Sequence, residues 1–269
     1  MGRPCCGDRV TVRRADDESA VVVAIEPRRN EFARADARQR RQIIAANLDR
    51  VLIVIAPAPP PSRDLVERYL VAVHSLGIEP VLVLNKADLL NGAAIEPGGP
   101  LDHLEDYRRL GYTVLETSCK AAPGTSVLDA ALQNRVSILV GQSGVGKSSL
   151  VQALLPDVDI RTGALSQVTG LGRHTTTVTM LYHLPDGGDL IDSPGVRDFS
   201  LSPVAVDRLA QGFREFRPYL GQCRFHNCRH AGEPGCAVQD AARSGVINQR
   251  RLANYRELVR MMSSPGARS

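Results

Sequence analysis

The chain has 269 residues, 43% hydrophobic and 23% charged, enough apolar content to bury a core and too much for a disordered protein. Its longest apolar run, "VLIVIA" at 51–56, is far short of the roughly 20 residues that cross a bilayer, and "MGRPCCGDRV" has no apolar stretch of signal-peptide length. A cytoplasmic protein without membrane association is expected, its six cysteines thiols or metal ligands rather than disulfides.

The net charge of +4 is unevenly spread: from Arg197 onward there are twelve Arg, no Lys and six acids, and residues 26–41 carry six Arg against three acids. Such patches read equally as solvated faces or as surface for nucleic acid.

In chain order, "DRVTVR" and "AVVVAIEP" are the visible strands before residue 47. "VLIVIA" is a buried strand, 62–77 has helical apolar spacing with a Ser62 cap and Gly77 at its end, and "EPVLVLNKAD" returns to strand. A loop over 91–100, a helix near 101–110, the strand "YTVLETS" at 112–118, a helix near 124–134 and the strand "VSILV" at 136–140 follow. Two βαβ units predict a parallel sheet and an α/β class. "TTTVTMLYHLPDGGDLIDSPG" predicts an antiparallel hairpin turning at Asp186-Gly187-Gly188. The last periodic stretch, 246–262, is an amphipathic helix whose basic side is read as packing and a solvated face.

Four short motifs carry chemistry. "GQSGVGKSS", from Gly141 through Gln142, Ser143, Gly144, Val145, Gly146, Lys147 and Ser148 to Ser149, fits the phosphate loop between a strand and a helix. Its N–H groups and helix dipole would cradle phosphates, Lys147 would reach the terminal ones, and Ser148 would offer a hydroxyl to Mg2+. "DSPG" sets Asp192 at a strand end near that cation and aims the Gly195 N–H at a γ-phosphate. In "NKAD" the Asp88 carboxylate can accept two hydrogen bonds from guanine, Asn85 would brace the loop and Lys86 would lie along the ring, which favours GTP over ATP. "TSCK" suits a second base loop, with Ser118, the Cys119 N–H and Lys120 around the guanine.

These parts stand in the reverse of the usual order, base reader before phosphate loop. A circular permutation explains this, because it moves the termini while keeping the sheet. Further on, Cys223, Cys228, His230 and Cys236 form a C-x4-C-x-H-x5-C cluster suited to one tetrahedral structural zinc, with His226 as a rival ligand.

Together "NKAD", "GQSGVGKSS", "GRHTTT", "DSPGVRDFSL" and "CRFHNCRHAGEPGC" resemble the ribosome small subunit-dependent GTPase A family, from about Gly7 to Met262. The resemblance implies a circularly permuted P-loop GTPase domain (47–202), preceded by a partial β, OB-like RNA-binding segment (1–46) and followed by a small helical zinc-binding domain (203–269). An OB barrel needs five strands, so its first strands are missing from this sequence, through a misplaced start or a truncated barrel.

The resemblance further implies a monomer that binds GTP and GDP, the small ribosomal subunit and its rRNA, and hydrolyses GTP during late maturation of that subunit. It assigns His174 to orienting the attacking water, since Val196 follows the D-x-x-G loop where a glutamine would do so; a loop histidine contacting RNA is the competing reading. Thr176 matches the threonine that ligands Mg2+, with Thr175 and Thr177 beside it. Intrinsic turnover is then expected to be slow, about 10⁻⁴ to 10⁻² s⁻¹. A GTP-dependent metallochaperone or an RNA-binding scaffold without turnover are the alternatives.

Overall fold

The computed structural model describes residues 3–15, 19–35, 40–61, 65–90, 101–158, 179–193 and 206–263. At its centre is a six-stranded sheet made of β5 (Arg50–Ile55), β6 (Pro80–Leu84), β7 (Thr113–Glu116), β8 (Val136–Val140), β9 (Met180–His183) and β10 (Asp189–Asp192), in the order β7-β6-β5-β8-β10-β9. All neighbours are parallel except β9, which pairs antiparallel with β10 through the expected turn, where Gly187 and Gly188 take φ of +85° and +105°.

Both faces of this sheet are covered, which is why β5 and β6 read as unbroken apolar runs rather than alternating ones. Val51, Ile53 and Ile55 of β5 face one core together with α1 (Leu65–His74) and α2 (Leu104–Arg109). Leu52 and Val54 face the other, against α3 (Ser126–Leu132) and α4 (Lys147–Leu154). The strand feeding the phosphate loop, β8, lies beside β5, while β7 lies at the sheet edge. The chain therefore returns from the edge to the middle through α3.

Before the sheet come two antiparallel hairpins, β1 (Val10–Arg14) with β2 (Ala20–Ile25) and β3 (Glu31–Ala35) with β4 (Arg41–Ala46). The second pair was not visible in the sequence as strand. Its arginines mask the alternation, yet Phe32, Ile44 and Ala45 enter the sheet core, and the guanidiniums are paired: Arg28 with Asp8 and Glu31, Arg41 with Glu31, Arg29 with Asp49.

After the sheet come α5 (Val206–Gln211), a 3-10 segment (Arg214–Tyr219), α6 (Ala237–Arg243) and α7 (Gln249–Ser263). The basic side of α7 is not all solvated, as the sequence suggested. Arg251 is 1% exposed and ion-pairs with Glu67 of α1, itself 1% exposed, and with Glu215. Tyr107 Oη donates to Glu67 at 2.9 Å, Asn254 Nδ2 donates to it at 3.2 Å, and the Arg251 guanidinium lies 4.6 Å over the Phe213 ring. Burial pushes the Glu67 carboxyl upward, but the Arg251 charge and its hydrogen bond hold it below the ordinary glutamate value. This network fastens the C-terminal helices to α1 and α2. Among the described residues no helix is long and apolar enough to cross a membrane.

Candidate functional site

Because β6, β7 and β8 run parallel, their carboxyl ends bring the loops 85–88, 117–121 and 141–146 to one edge of the sheet, where open α/β sheets take their ligands. The side chain of buried Asn85 crosses between them: its Nδ2 donates to Val145 O at 2.9 Å, and its Oδ1 accepts from Thr117 Oγ1 at 3.1 Å. Lys86, at φ +58°, donates from Nζ to Gly144 O at 2.6 Å and to Ala58 O at 2.7 Å, laying its stem over the phosphate loop. The base-reading motif and the phosphate loop, separate in sequence, are thus tied by direct hydrogen bonds.

Asp88 is aimed by Ser118, whose Oγ donates to Asp88 Oδ1 at 2.6 Å and accepts from the N–H groups of Lys120 and Ala121 at 3.1 Å each. The carboxylate keeps its second oxygen for another donor pair, as a guanine edge would supply. Cys119 is exposed at this loop. Thr117, not singled out in the sequence, is the buried pivot between Asn85 and the second base loop; its place directly before "SCK" at a strand end was the only available signal.

In the phosphate loop two glycines are sterically required. At Gly141 (φ +142°) a Cβ would fall 2.2 Å from Val54 O of β5, and at Gly146 (φ +94°) it would fall 2.4 Å from Asn85 Nδ2. Gly146 caps α4, and Lys147 opens it. Lys147 Nζ donates to Gly141 O at 2.7 Å and Gln142 O at 2.8 Å, so the amine lies inside its own loop where phosphates would displace those carbonyls. Gln142 Nε2 bonds Pro60 O at 2.9 Å, Val145 is buried, Ser143 and Ser149 are exposed, and Ser148 is half-buried in the first turn of α4.

Asp192 ends β10, paired in register with Leu139 of β8, and is buried. Burial pushes its carboxyl above the ordinary aspartate value, against the pull of Lys147. A buried carboxylate with a cation's pull and, among the described residues, no other neutralising partner suits a divalent metal alongside a polyphosphate, so Asp192 and Ser148 fit as Mg2+ holders. Gly195, His174 and Thr176, with Thr175, Thr177 and Val196, lie outside the described residues.

The second cluster lies between the 3-10 segment and α6. Cys223, Cys228, His230 and Cys236 bring one donor atom each within 4.8 Å of all the others. His230 Nδ1 is 3.5, 3.7 and 3.3 Å from the sulfurs of Cys223, Cys228 and Cys236, and the Cys223 and Cys236 sulfurs are 3.9 Å apart. Zinc at about 2.3 Å from sulfur and about 2.05 Å from nitrogen spaces tetrahedral donors about 3.8 Å (S–S) and about 3.5 Å (S–N) apart, so the donor set fits that ion. His230 takes φ +57°, which turns its ring inward, and its N–H donates to Cys228 Sγ at 3.4 Å. His226 is exposed and outside the set. Cys5, Cys6 and Cys119 stay apart, Cys6 Sγ donating to Thr179 O at 3.3 Å.

Comparison with known proteins gives a consistent picture. The family model described as RsgA GTPase matches residues 25–202. A protein of Azotobacter vinelandii named small ribosomal subunit biogenesis GTPase RsgA is 51% identical over 96% of this chain and 75% of its own length. One of the same name from Pseudomonas aeruginosa is 50% identical over 95% and 75%. Among solved structures, YjeQ from Thermotoga maritima superposes with a TM-score of 0.74 at 29% identity, covering 98% of this chain and 86% of that one. YloQ, described as a circularly permuted GTPase, gives 0.71 at 28% identity, covering 99% and 83%.

Proposed function

The chain belongs to the RsgA GTPase family, and on that footing we propose that it is a GTP hydrolase of small-ribosomal-subunit maturation, working in the cytoplasm as a monomer on the subunit and its rRNA. The observation that carries this reading is the direct bonding of the base-reading loop to the phosphate loop, Asn85 to Val145 and Lys86 to Gly144, at the carboxyl edge of a permuted sheet.

In this reading Asp88, held by Ser118, accepts from the guanine edge while Lys86 flanks the ring. Asn85, Cys119 and Lys120 complete the base pocket. The N–H groups of residues 141–149 cradle the phosphates, Lys147 turns from Gly141 O and Gln142 O to the terminal ones, and the Gly195 N–H meets the γ-phosphate. Mg2+ held by Ser148, Thr176 and the Asp192 side would neutralise the charge that builds on the phosphates. His174 orients the attacking water, since Val196 carries no polar group. Turnover of the free protein is slow, and the small subunit accelerates it.

The N-terminal residues 1–46 serve as a β, OB-like RNA-binding segment, 47–202 as the GTPase domain and 203–269 as a zinc-binding helical domain. The zinc is structural: four protein donors at tetrahedral spacing leave no open position, which speaks against a metallochaperone. The test is GTP hydrolysis by the purified protein alone and with small or large subunits, with ATP as control. Stimulation of GTP turnover by the small subunit alone supports the reading. Equal turnover of ATP, or no acceleration by any subunit, overturns it, the latter in favour of a scaffold. His174→Ala should remove the stimulated turnover and leave nucleotide binding.

A further inference from the structure

A second groove of about 490 Å³ opens far from the nucleotide edge, lined by His74, Ser75, Arg208, Gln211, Gly212 and Arg217. His74 ends α1, and the chain after it leads into the amino end of β6, so this groove sits at the opposite edge of the sheet from the phosphate loop, at the seam between the GTPase domain and the C-terminal helices. No acid lines it.

The charges around the groove are unbalanced. Two carboxylates of the neighbouring segments are committed elsewhere: Glu79 to Arg214, which also donates to Gly111 O at 2.9 Å, and Glu215 to Arg251. Arg217 uses only Nε, donating to Gln211 O at 3.0 Å, which fixes the plane of the guanidinium and leaves both terminal nitrogens. Arg208, exposed on α5, has no ion pair among the described residues. Arg41, Arg243 and Arg260, exposed elsewhere, are each paired to a carboxylate. The positive field is felt nearby: burial, then Arg217, Arg214 and Arg251, push the His74 imidazole down to about 4, so this ring is neutral at physiological pH and two guanidiniums face the groove without compensation.

We propose that this groove is an anion site that takes backbone phosphates of RNA, with Arg208 and Arg217 as its contacts and Ser75 and Gln211 as flanking polar groups. Two unpaired guanidiniums offer bidentate donors that suit phosphate oxygens, and an exposed, sequence-blind phosphate grip is what a protein needs to seat itself on an RNA surface. The choice of RNA as partner rests on the small-subunit reading above. The groove would hold the particle at an edge that the nucleotide does not touch, adding affinity without entering the chemistry.

The experiment uses the full chain, loaded with a non-hydrolysable GTP analogue and zinc. Binding to purified small subunits and to a short RNA hairpin is measured against salt for wild type, Arg208→Gln with Arg217→Gln, the charge-keeping Arg208→Lys with Arg217→Lys, and Arg243→Gln as a control that removes a paired arginine. The double Gln variant should bind both probes at least fivefold more weakly and lose about one to two from the slope of log affinity against log salt, about one per phosphate contact. The Lys variant should recover most of the affinity, and basal GTP turnover should stay unchanged in all.

A double Gln variant that binds the hairpin as Arg243→Gln does overturns the site, whatever the subunit result. Loss of hairpin binding by the double Gln variant, when the wild type binds the hairpin but not the subunits, keeps the site and removes only the partner reading. Competition by polyglutamate or by millimolar inorganic phosphate, with RNA affinity untouched by the substitutions, reassigns the groove to an acidic protein or a small anion and overturns the proposal.

Discussion

Replacing Arg251 by Ala removes a fully buried cation that faces both Glu67 and Glu215, and its cost can be worked from the contacts. Arg251 makes charge-assisted bonds to both carboxylates, and both it and Glu67 are 1% exposed. Removing one partner of such a pair leaves a buried charge uncompensated, typically about 3–5 kcal/mol. Glu67 would keep Tyr107 at 2.9 Å, Asn254 at 3.2 Å and Arg250 at 3.5 Å, so the lower end, about 3 kcal/mol, is expected.

The deficit should depend on pH in a defined sense. In the wild type the Glu67 value is depressed, so its contribution is present above the unfolded value of about 4.3 and is lost only as pH falls through the lower folded value. In the variant burial outweighs the weaker pull that Arg250 and Tyr107 still exert and raises that value, so protonation relieves the deficit as pH falls from 7.5 to 5.5. Urea unfolding of both proteins at those two pH values measures it, and adding Glu67→Gln to Arg251→Ala should recover about 1 kcal/mol at pH 7.5. A deficit below about 1 kcal/mol, or one equal at both pH values, refutes the idea that an uncompensated Glu67 is the cause.

Three more outcomes are expected. Lys147→Ala should weaken GTP binding at least a hundredfold by fluorescent-nucleotide titration while leaving the fold intact, because the amine's hydrogen bonds to Gly141 O and Gln142 O lie within its own loop; unchanged affinity would remove Lys147 from the site. Asp88→Asn should shift preference from guanine toward xanthine nucleotides in competition binding, and retained guanine preference would contradict the base reader. Asn85→Ala leaves the Val145 carbonyl and Thr117 hydroxyl buried without their partner, so it should cost about 1–3 kcal/mol of stability and lower GTP affinity; a neutral variant in both assays would show that the bridge is not needed.

Much of the fold was readable because parallel strands advertise themselves: "VLIVIA" is an unbroken apolar run, "VLVL" runs into the motif Asn85 and "VSILV" into the motif Gly141, and these are β5, β6 and β8. The motif order was enough to imply permutation. The β3–β4 hairpin was hidden because its arginines pair locally with Glu31, Asp8 and Asp49, and a sequence shows charges without showing which are neutralised. Glu67 was missed for a related reason. It stands in a helix buried at Leu65, Val66, Tyr69, Leu70, Val71, Ala72 and Val73, and an acid amid so much apolar surface was the one available sign of a buried partner. That partner, Arg251, lies 184 residues away, beyond any local pattern.

Tyr255 sits one helical turn beyond Arg251 on α7, and its hydroxyl donates to Arg229 O at 2.8 Å, the carbonyl between the two ligands Cys228 and His230. One stretch of helix therefore clasps the metal loop with Tyr255 and the GTPase sheet with Arg251. A metal ion bound at this cluster would therefore stiffen α7 as well as its own loop, through the Tyr255 bond.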